Sequence, residues 1–276
     1  MSYQSVTQRF LTHFDLRSRR PDLEYLSQLV YAFAQLPYEN LTKILKNYRT
    51  GDPTSKLRMP DEVIEDHIRY GTGGTCFSLT FTLWQILEGC GFDCYPVMAD
   101  RSYGPDTHCA LVVLLQKQKF LVDPGFLLSR PLPLTHEPVA VHKFPMNFIQ
   151  LERLEAGNLM GTASGYRVYT LNKSGKKWRY TLKDRPVSVE EFREHWLKSF
   201  SWNMMNSLLV TRITHETQLY LRDNYLQVTS EGQRNQRKIR SDYARVISEI
   251  FGIPEEIILE AQQIVKQQKL SVVRSP

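Results

Sequence analysis

Three residues of the 276-residue chain have the types and spacing needed for nucleophilic catalysis: Cys76, His108 and Asp123. Cys76 stands in GTGGTCFSLT, residues 71 to 80, behind three glycines and at the head of an apolar helical run. The thiolate is the reactive form of cysteine, and the unpaired backbone N–H groups of a helix N-terminus favour it. Gly73 and Gly74 allow a sharp turn and a close approach of a carbonyl group to main-chain amides, so Gly74 and Thr75 are candidates for oxyanion support. Taken alone, GGTC fits a glycine-rich cap with a chance cysteine, because glycines before helices are common.

His108 opens HCALVVLL and Asp123 closes KFLVD, two strands joined around QKQ. With the turn centred near residues 116 to 118, His108 lies opposite residues 123 to 126, depending on register. A carboxylate bonded to one imidazole nitrogen fixes the tautomer and leaves the other nitrogen for a thiol, provided a cleft brings Cys76 against the hairpin. Read separately, His108 is a surface histidine after the polar loop RSYGPDT, and Asp123 is a turn residue before Pro124 and Gly125. His13, His67, His136, His142, His195 and His215 lack a carboxylate at such spacing and read as surface or capping residues.

Composition narrows the function classes. No run of eighteen apolar residues occurs, and MSYQSVTQRF lacks a charged segment followed by an apolar one. Neither a membrane span nor a secretory signal is expected, and a cytoplasmic location is the default. Cys90 and Cys94 are separated by GFD, wider than a zinc-knuckle pair, and no second pair follows, so no metal site is expected. With Cys109 they read as reduced, buried small apolar residues. The net charge of +6 is spread over RSRR, KK and RNQRKIR, without interleaved aromatics or a recognition helix. This argues against nucleic acid and for a solvated face, with attraction of a phosphate-bearing small molecule as the second reading.

The elements that must position these groups follow from periodicity. Leu23, Leu26, Val30, Phe33 and Ala34 predict a helix from Pro21 to Leu36. A second helix starts at MPDEV with Val63, Ile64, His67 and Ile68 inward and ends before the glycines. A third runs from about Cys76 to Leu87, apolar around most of its surface, with Gly89 as its stop. After Gly91, CYPVMADR, HCALVVLL, KFLVDPGF, YRVYTLN and KWRYTLK read as strands, the last two joined by a KSGK turn, in an antiparallel sheet curled into a small barrel. SVEEFREHWLKSF returns to helix with Ser188 and Glu191 at capping-box spacing. LLVTRIT, TQLYLRD and NYLQVTS form a further small sheet. A helix from Pro254 follows, with Ile257, Ala261, Ile264 and Val265 on one face. Cys76 then falls where the helices meet the barrel, in an interdomain cleft.

LPYENL at 36 to 41, GGTCF at 73 to 77, THCALVV at 107 to 113 and FLVDPGF at 120 to 126 together resemble the arylamine N-acetyltransferases over nearly the whole chain. The resemblance implies an α+β fold with a Cys-His-Asp, cysteine-protease-like core. A helical bundle (1–90) carries the nucleophile, an antiparallel β-barrel with an interdomain helix (91–200) carries the histidine and aspartate, and an α/β lid (201–276) follows. It implies that Cys76 takes an acetyl group from acetyl-CoA as co-substrate, with no tightly bound cofactor, and passes it by ping-pong to an arylamine, hydrazine or similar amine. His108 would be the base and Asp123 its orienting group. Phe126 would line the acceptor pocket, with Thr107 and Gly125 at the substrate.

The chain departs from the family pattern at four places. Thr72 replaces an arginine that pairs with Glu39, which leaves Arg49, Arg69 or hydrogen bonds to compensate. Ser78 replaces Glu or Gln. Thr80 replaces an asparagine that braces the aspartate, and its hydroxyl is expected to donate to Asp123. Leu127 stands where a glycine often follows the pocket phenylalanine and is expected to narrow the cleft. The residues alone leave open an acyltransferase or amide synthase with another thioester donor, a Cys-His-Asp hydrolase or transglutaminase-like enzyme, and a non-catalytic binding module.

Overall fold

The computed structural model of the protein describes residues 3–144, 147–155, 164–173, 175–214, 217–230 and 233–274. Five helices come first: α1 (Tyr3–His13), α2 (Leu23–Phe33), α3 (Leu41–Arg49), α4 (Pro60–Tyr70) and α5 (Cys76–Gly89), with the short strand β1 (Tyr38–Glu39) before α3. Asp22 caps α2 by accepting from the Tyr25 amide at 2.6 Å. Gly71 ends α4 in the left-handed conformation that suits glycine, its N–H donating to the His67 carbonyl. Helix α5 is buried from Cys76 through Leu87, as its apolar circumference requires. Gly89 is the last residue of α5, packed so closely that a side chain there would collide with Thr7, and the chain turns at Gly91, with φ of 84°. Ile68 is exposed, not inward.

The eight strands β2 (Asp93–Arg101), β3 (Gly104–Leu115), β4 (Gln118–Val122), β5 (Leu132–Leu134), β6 (Val139–Lys143), β7 (Phe148–Leu154), β8 (Gly165–Asn172) and β9 (Gly175–Lys183) form one antiparallel, nearly closed barrel. Their order is β5-β4-β3-β2-β9-β8-β7-β6. The β3–β4 turn places Gln116 and Lys117 at φ of 50° and 64°, the two-residue hairpin geometry in which both centres are left-handed. Strands β5 to β7 were not legible as strands because Pro-rich and charged residues interrupt their alternation. Ser174 of the KSGK turn lies outside the described residues, as does His215.

After α6 (Val189–Lys198), whose Ser188 cap accepts from the Glu191 amide at 3.1 Å, come β10 (Leu209–Thr214), β11 (Thr217–Arg222), β12 (Tyr225–Ser230), β13 (Gln233–Lys238), α7 (Tyr243–Phe251) and α8 (Glu255–Arg274). The basic run RNQRKIR contributes β13, an exposed edge whose arginines and lysine oppose further strand addition. The second sheet runs β1-β10-β11-β12-β13, so residues 38 and 39 belong to it although they lie in the first helical segment.

Packing crosses residues 90 and 200. Phe192 and Trp196 of α6 enter the core built by α1, α2, α4 and α5. Leu41, Ile44 and Leu45 of α3 enter the core of the C-terminal sheet with α7 and α8. These shared cores couple the segment carrying Cys76 to both of the others.

His67 is buried, as the periodicity of α4 has it, and is not the surface or capping residue that its lack of an acidic neighbour suggested. Its Nδ1 donates to the Thr72 carbonyl at 2.9 Å, and its ring meets His13 and Phe14. Burial pulls it down to about 4, below the ~6.5 of an unfolded histidine. The unfolded chain therefore takes up a proton that the folded protein refuses. This contribution to stability is complete above pH ~6.5 and is lost progressively as the pH falls towards 4. It amounts to about 3 kcal/mol at the acid end. Urea unfolding at pH 7.5, 5.5 and 4.5 is predicted to show this loss, and His67→Gln to flatten the profile over the same range.

Candidate active site

Cys76 is the first residue of α5, where the amides of the first turn have no intrahelical acceptor. Thr75, the N-cap, is extended and makes no side-chain cap bond, so those amides are not covered from that side. The two glycines before it are there for closeness. A Cβ on Gly73 would lie 1.9 Å from the Pro37 carbonyl oxygen, and one on Gly74 would lie 2.2 Å from Ser78 Oγ. The Gly74 N–H is already committed to the Pro37 carbonyl at 3.3 Å. The Gly74 N–H is therefore not free to receive an oxyanion, whereas the first-turn amides of α5 have no intrahelical acceptor.

The β3–β4 register pairs Leu111 with Val122, which sets His108 level with Gly125, just past the last paired residues. Asp123 follows β4 and caps the short 3-10 turn Pro124–Phe126. Its Oδ1 accepts from the Phe126 amide at 2.8 Å, and its Oδ2 meets His108 Nε2 at 2.7 Å. His108 and Asp123 are 1% and 0% exposed. With Nε2 engaged, His108 Nδ1 has no other oxygen or nitrogen partner and is the nitrogen left for the Cys76 sulfur. Gly125 makes this approach possible, since a Cβ there would fall 2.5 Å from Cys76 Cβ and 3.1 Å from His108 Cε1.

The electrostatics follow from this packing. The Cys109 thiol donates to the Cys76 sulfur and, against the opposing effect of burial, His108 and Lys43 add to it, so Cys76 is held well below the usual thiol range. Cys109, by contrast, is pushed well up by burial and by the neighbouring sulfur, and keeps its proton. Burial alone would depress His108, but the Asp123 charge and hydrogen bond, with Cys76, raise it to about 9. Both shifts favour a Cys76 thiolate beside a His108 imidazolium, the charge state that nucleophilic catalysis by a thiol requires.

Other sequence candidates have different places. Phe126 supplies the amide that holds Asp123, and its ring stands edge-on to Tyr180 at 5.8 Å. Thr107 donates to the Gly104 carbonyl at 2.7 Å within its own turn. Thr80 donates to the Cys109 carbonyl at 3.4 Å, not to Asp123. Leu127 is buried with a left-handed backbone, φ of 56°, where a glycine would be unstrained.

Glu39, 0% exposed, finds its cation in neither Arg49, which pairs with Glu260, nor Arg69, which pairs with Glu65. Arg58 takes that role from before α4. It lies 3.8 Å from Glu39, donates to Thr42 Oγ1 and to the Gly73 carbonyl at 2.6 Å, and pairs with Asp66. Glu39 also accepts from the Thr42 amide and hydroxyl. Sequence reading missed Arg58, Lys43, Cys109 and Tyr180. Tyr180 packs its ring 4.7 Å from that of His108. Arg58, Lys43 and Tyr180 are distant in sequence from the groups they meet, and Cys109, though next to His108, meets Cys76 only across space. Among the described residues no group of three or more His, Cys, Asp or Glu could hold a metal ion, and no helix is long and apolar enough to cross a membrane.

The family model described as N-acetyltransferase matches residues 22–258. The chain belongs to this N-acetyltransferase family. Its fold is similar to that of the arylamine N-acetyltransferase from Mycobacterium abscessus, at TM-score 0.78 and 22% identity over 92% of this chain and 94% of that one. The Nocardia farcinica arylamine N-acetyltransferase gives 0.77 and 21% over 94% and 93%. A Bacillus cereus arylamine N-acetyltransferase described as having a unique Cys-His-Glu catalytic triad gives 0.72 and 20% over 92% and 100%. In this N-acetyltransferase the carboxylate bonded to His108 is that of Asp123. No curated protein sequence matches the chain.

Two substitutions test the framework. Arg58→Met strands the buried Glu39 and is predicted to destabilise the protein by about 3–5 kcal/mol in urea unfolding. Gly125→Ala is predicted to separate Cys76 from His108 and slow alkylation of Cys76 by about 10²-fold, measured by peptide mass spectrometry, with the fold retained by circular dichroism.

Proposed function

We propose that this N-acetyltransferase moves an acetyl group from acetyl-CoA to an arylamine, hydrazine or similar amine through an acetyl-Cys76 intermediate. The observation that carries this reading is the buried Cys76–His108–Asp123 array at the start of α5, in which Nε2 of His108 is held 2.7 Å from Asp123 and Nδ1 is left to the sulfur. The thiolate attacks the thioester carbonyl, and the first-turn amides of α5 receive the developing oxyanion. CoA leaves as its thiol with the proton from His108. In the second half, neutral His108 takes a proton from the attacking amine, the C–N bond forms, and the Cys76 thiolate departs. The family membership supports acetyl transfer, and the fold likeness to arylamine N-acetyltransferases supports an arylamine acceptor.

Three regions divide this work in the proposal: residues 1–90 present the nucleophile, 91–200 the base and its carboxylate, and 201–276 cover the cleft as a lid. The basic balance of the chain favours an anionic donor such as CoA. All four cysteines are free and buried, which suits a reducing, cytoplasmic setting.

Intact-protein mass spectrometry after brief exposure to acetyl-CoA tests the proposal. A gain of one acetyl group is expected, absent in Cys76→Ala and discharged by an aromatic amine or hydrazine. An unmodified protein whose Cys76 is still alkylated ahead of Cys90, Cys94 and Cys109 would sink acetyl-CoA as donor. His108→Ala is predicted to slow alkylation of Cys76 at neutral pH, as the thiolate loses its imidazolium.

A further inference from the structure

The peptide group that joins Gly73 to Gly74 is held at both ends. Its N–H donates to the Pro37 carbonyl at 3.3 Å, and its carbonyl accepts from Nη1 of Arg58 at 2.6 Å. The next carbonyl, that of Gly74, accepts from the Glu39 amide at 2.9 Å. Two of these three bonds come from the backbone of residues 37 to 39, and the third comes from a side chain. A peptide between two glycines meets little steric resistance to rotation, so hydrogen bonds must fix its plane. Both glycines are buried, where a carbonyl without a donor is costly. Cys76 opens α5 two residues after Gly74, so this plane sets where the helix and its sulfur begin.

Every nitrogen of the buried Arg58 guanidinium is engaged. Nη1 donates twice, to the Gly73 carbonyl and to Thr42 Oγ1 at 2.7 Å, while Nη2 donates to Asp66 at 2.6 Å and Nε faces Glu62 at 3.7 Å. Glu39 lies 3.8 Å from Nη1 and is joined to it through Thr42, whose hydroxyl donates to that carboxylate at 2.5 Å and whose amide donates at 2.9 Å. The bonds close a circuit from the Gly73 carbonyl through Arg58, Thr42 and Glu39 back to the Gly74 carbonyl. Glu62 is shared with Lys46, whereas Asp66 pairs with no other cation among the described residues. Asp66 and Glu62 both stand on α4, so that helix aims the guanidinium at the turn before the nucleophile.

We infer that Arg58, aimed by Asp66, is a positioning residue for the nucleophile: its guanidinium locks the Gly73–Gly74 peptide plane and so sets the place from which α5 presents Cys76. This role is separate from the counter-charge that Arg58 gives Glu39. A lysine supplies that charge, but its single ammonium nitrogen does not span the Gly73 carbonyl, Thr42 and Asp66 as the planar fork does. Asp66 touches the turn only through Arg58. The inference rests on Cys76 as nucleophile and not on the identity of the acyl donor.

The test is the rate of Cys76 alkylation by iodoacetamide, read by peptide mass spectrometry beside urea unfolding, in the wild type, Arg58→Lys and Asp66→Ala. Rates are taken where each variant is fully folded, so a loss of stability by itself leaves them unchanged. Arg58→Lys is expected to unfold at higher urea than Arg58→Met yet to alkylate about tenfold more slowly than the wild type, and Asp66→Ala about threefold more slowly. Wild-type reactivity in folded Arg58→Lys overturns the inference, because charge alone then suffices, and so does wild-type reactivity in Asp66→Ala. If Arg58→Lys does not fold, Asp66→Ala decides, since the Asp66 side chain is 28% exposed and its removal leaves Arg58 in place. Acylation by acetyl-CoA is expected to fall by the same factors. Slowed alkylation of the variants of a protein that acetyl-CoA does not acylate supports Arg58 and rejects only the donor.

Discussion

Burial of the Cys76 sulfur where three segments of the chain meet is the constraint on which the rest of this structure turns. Desolvation favours the neutral thiol, so every group that contacts Cys76 must compensate. The compensation comes from three elements: the start of α5, β3 with Cys109 and His108, and α3 with Lys43. Side chains shared between the cores of the helical region, the barrel and the C-terminal sheet hold these elements together.

Close backbone approach makes that convergence possible. Gly73 and Gly74 let the chain pass beside Pro37 and Ser78, and Gly125 lets the hairpin end rest on Cys76 and His108. Each is required for the space it leaves, not for a side chain it offers. The PYENL segment is the fastener between layers. Glu39 caps α3 and faces Arg58, and Asn40 bonds the Met204 and Ser207 carbonyls and the Leu209 amide of the C-terminal region. The chain thus ties the nucleophile loop to the second sheet through two consecutive side chains.

The departures from the N-acetyltransferase pattern show how such a framework tolerates change. With Thr72 before the glycines, Arg58 reaches the same carboxylate from another stretch of chain and also takes the Gly73 carbonyl. With Thr80 in place of the bracing asparagine, Asp123 is held by the Phe126 amide, a bond that the local 3-10 turn supplies by itself. Leu127 keeps the left-handed geometry that a glycine would take freely, because burial of its side chain holds it there.

Local pattern was sufficient for much of this protein. The apolar circumference of α5, the Ser188 cap of α6 and the hairpin carrying His108 and Asp123 were legible, because each depends on residues within a few positions of one another. So was the pairing of His108 with Asp123, since a hairpin of known turn length fixes which residues face each other. Tertiary structure alone decided the rest. Arg58 and Lys43 are ordinary charged residues in sequence, and only long-range packing buries the one beside Glu39 and the other against Ser199 and Phe200. Cys109 reads as a small apolar residue until the fold sets it against the nucleophile. The membership of β1 in the C-terminal sheet and the commitment of the Gly74 amide likewise follow from contacts between distant segments. Charge and hydrogen bonding depend on what lies across space, and one-dimensional spacing carries no record of it.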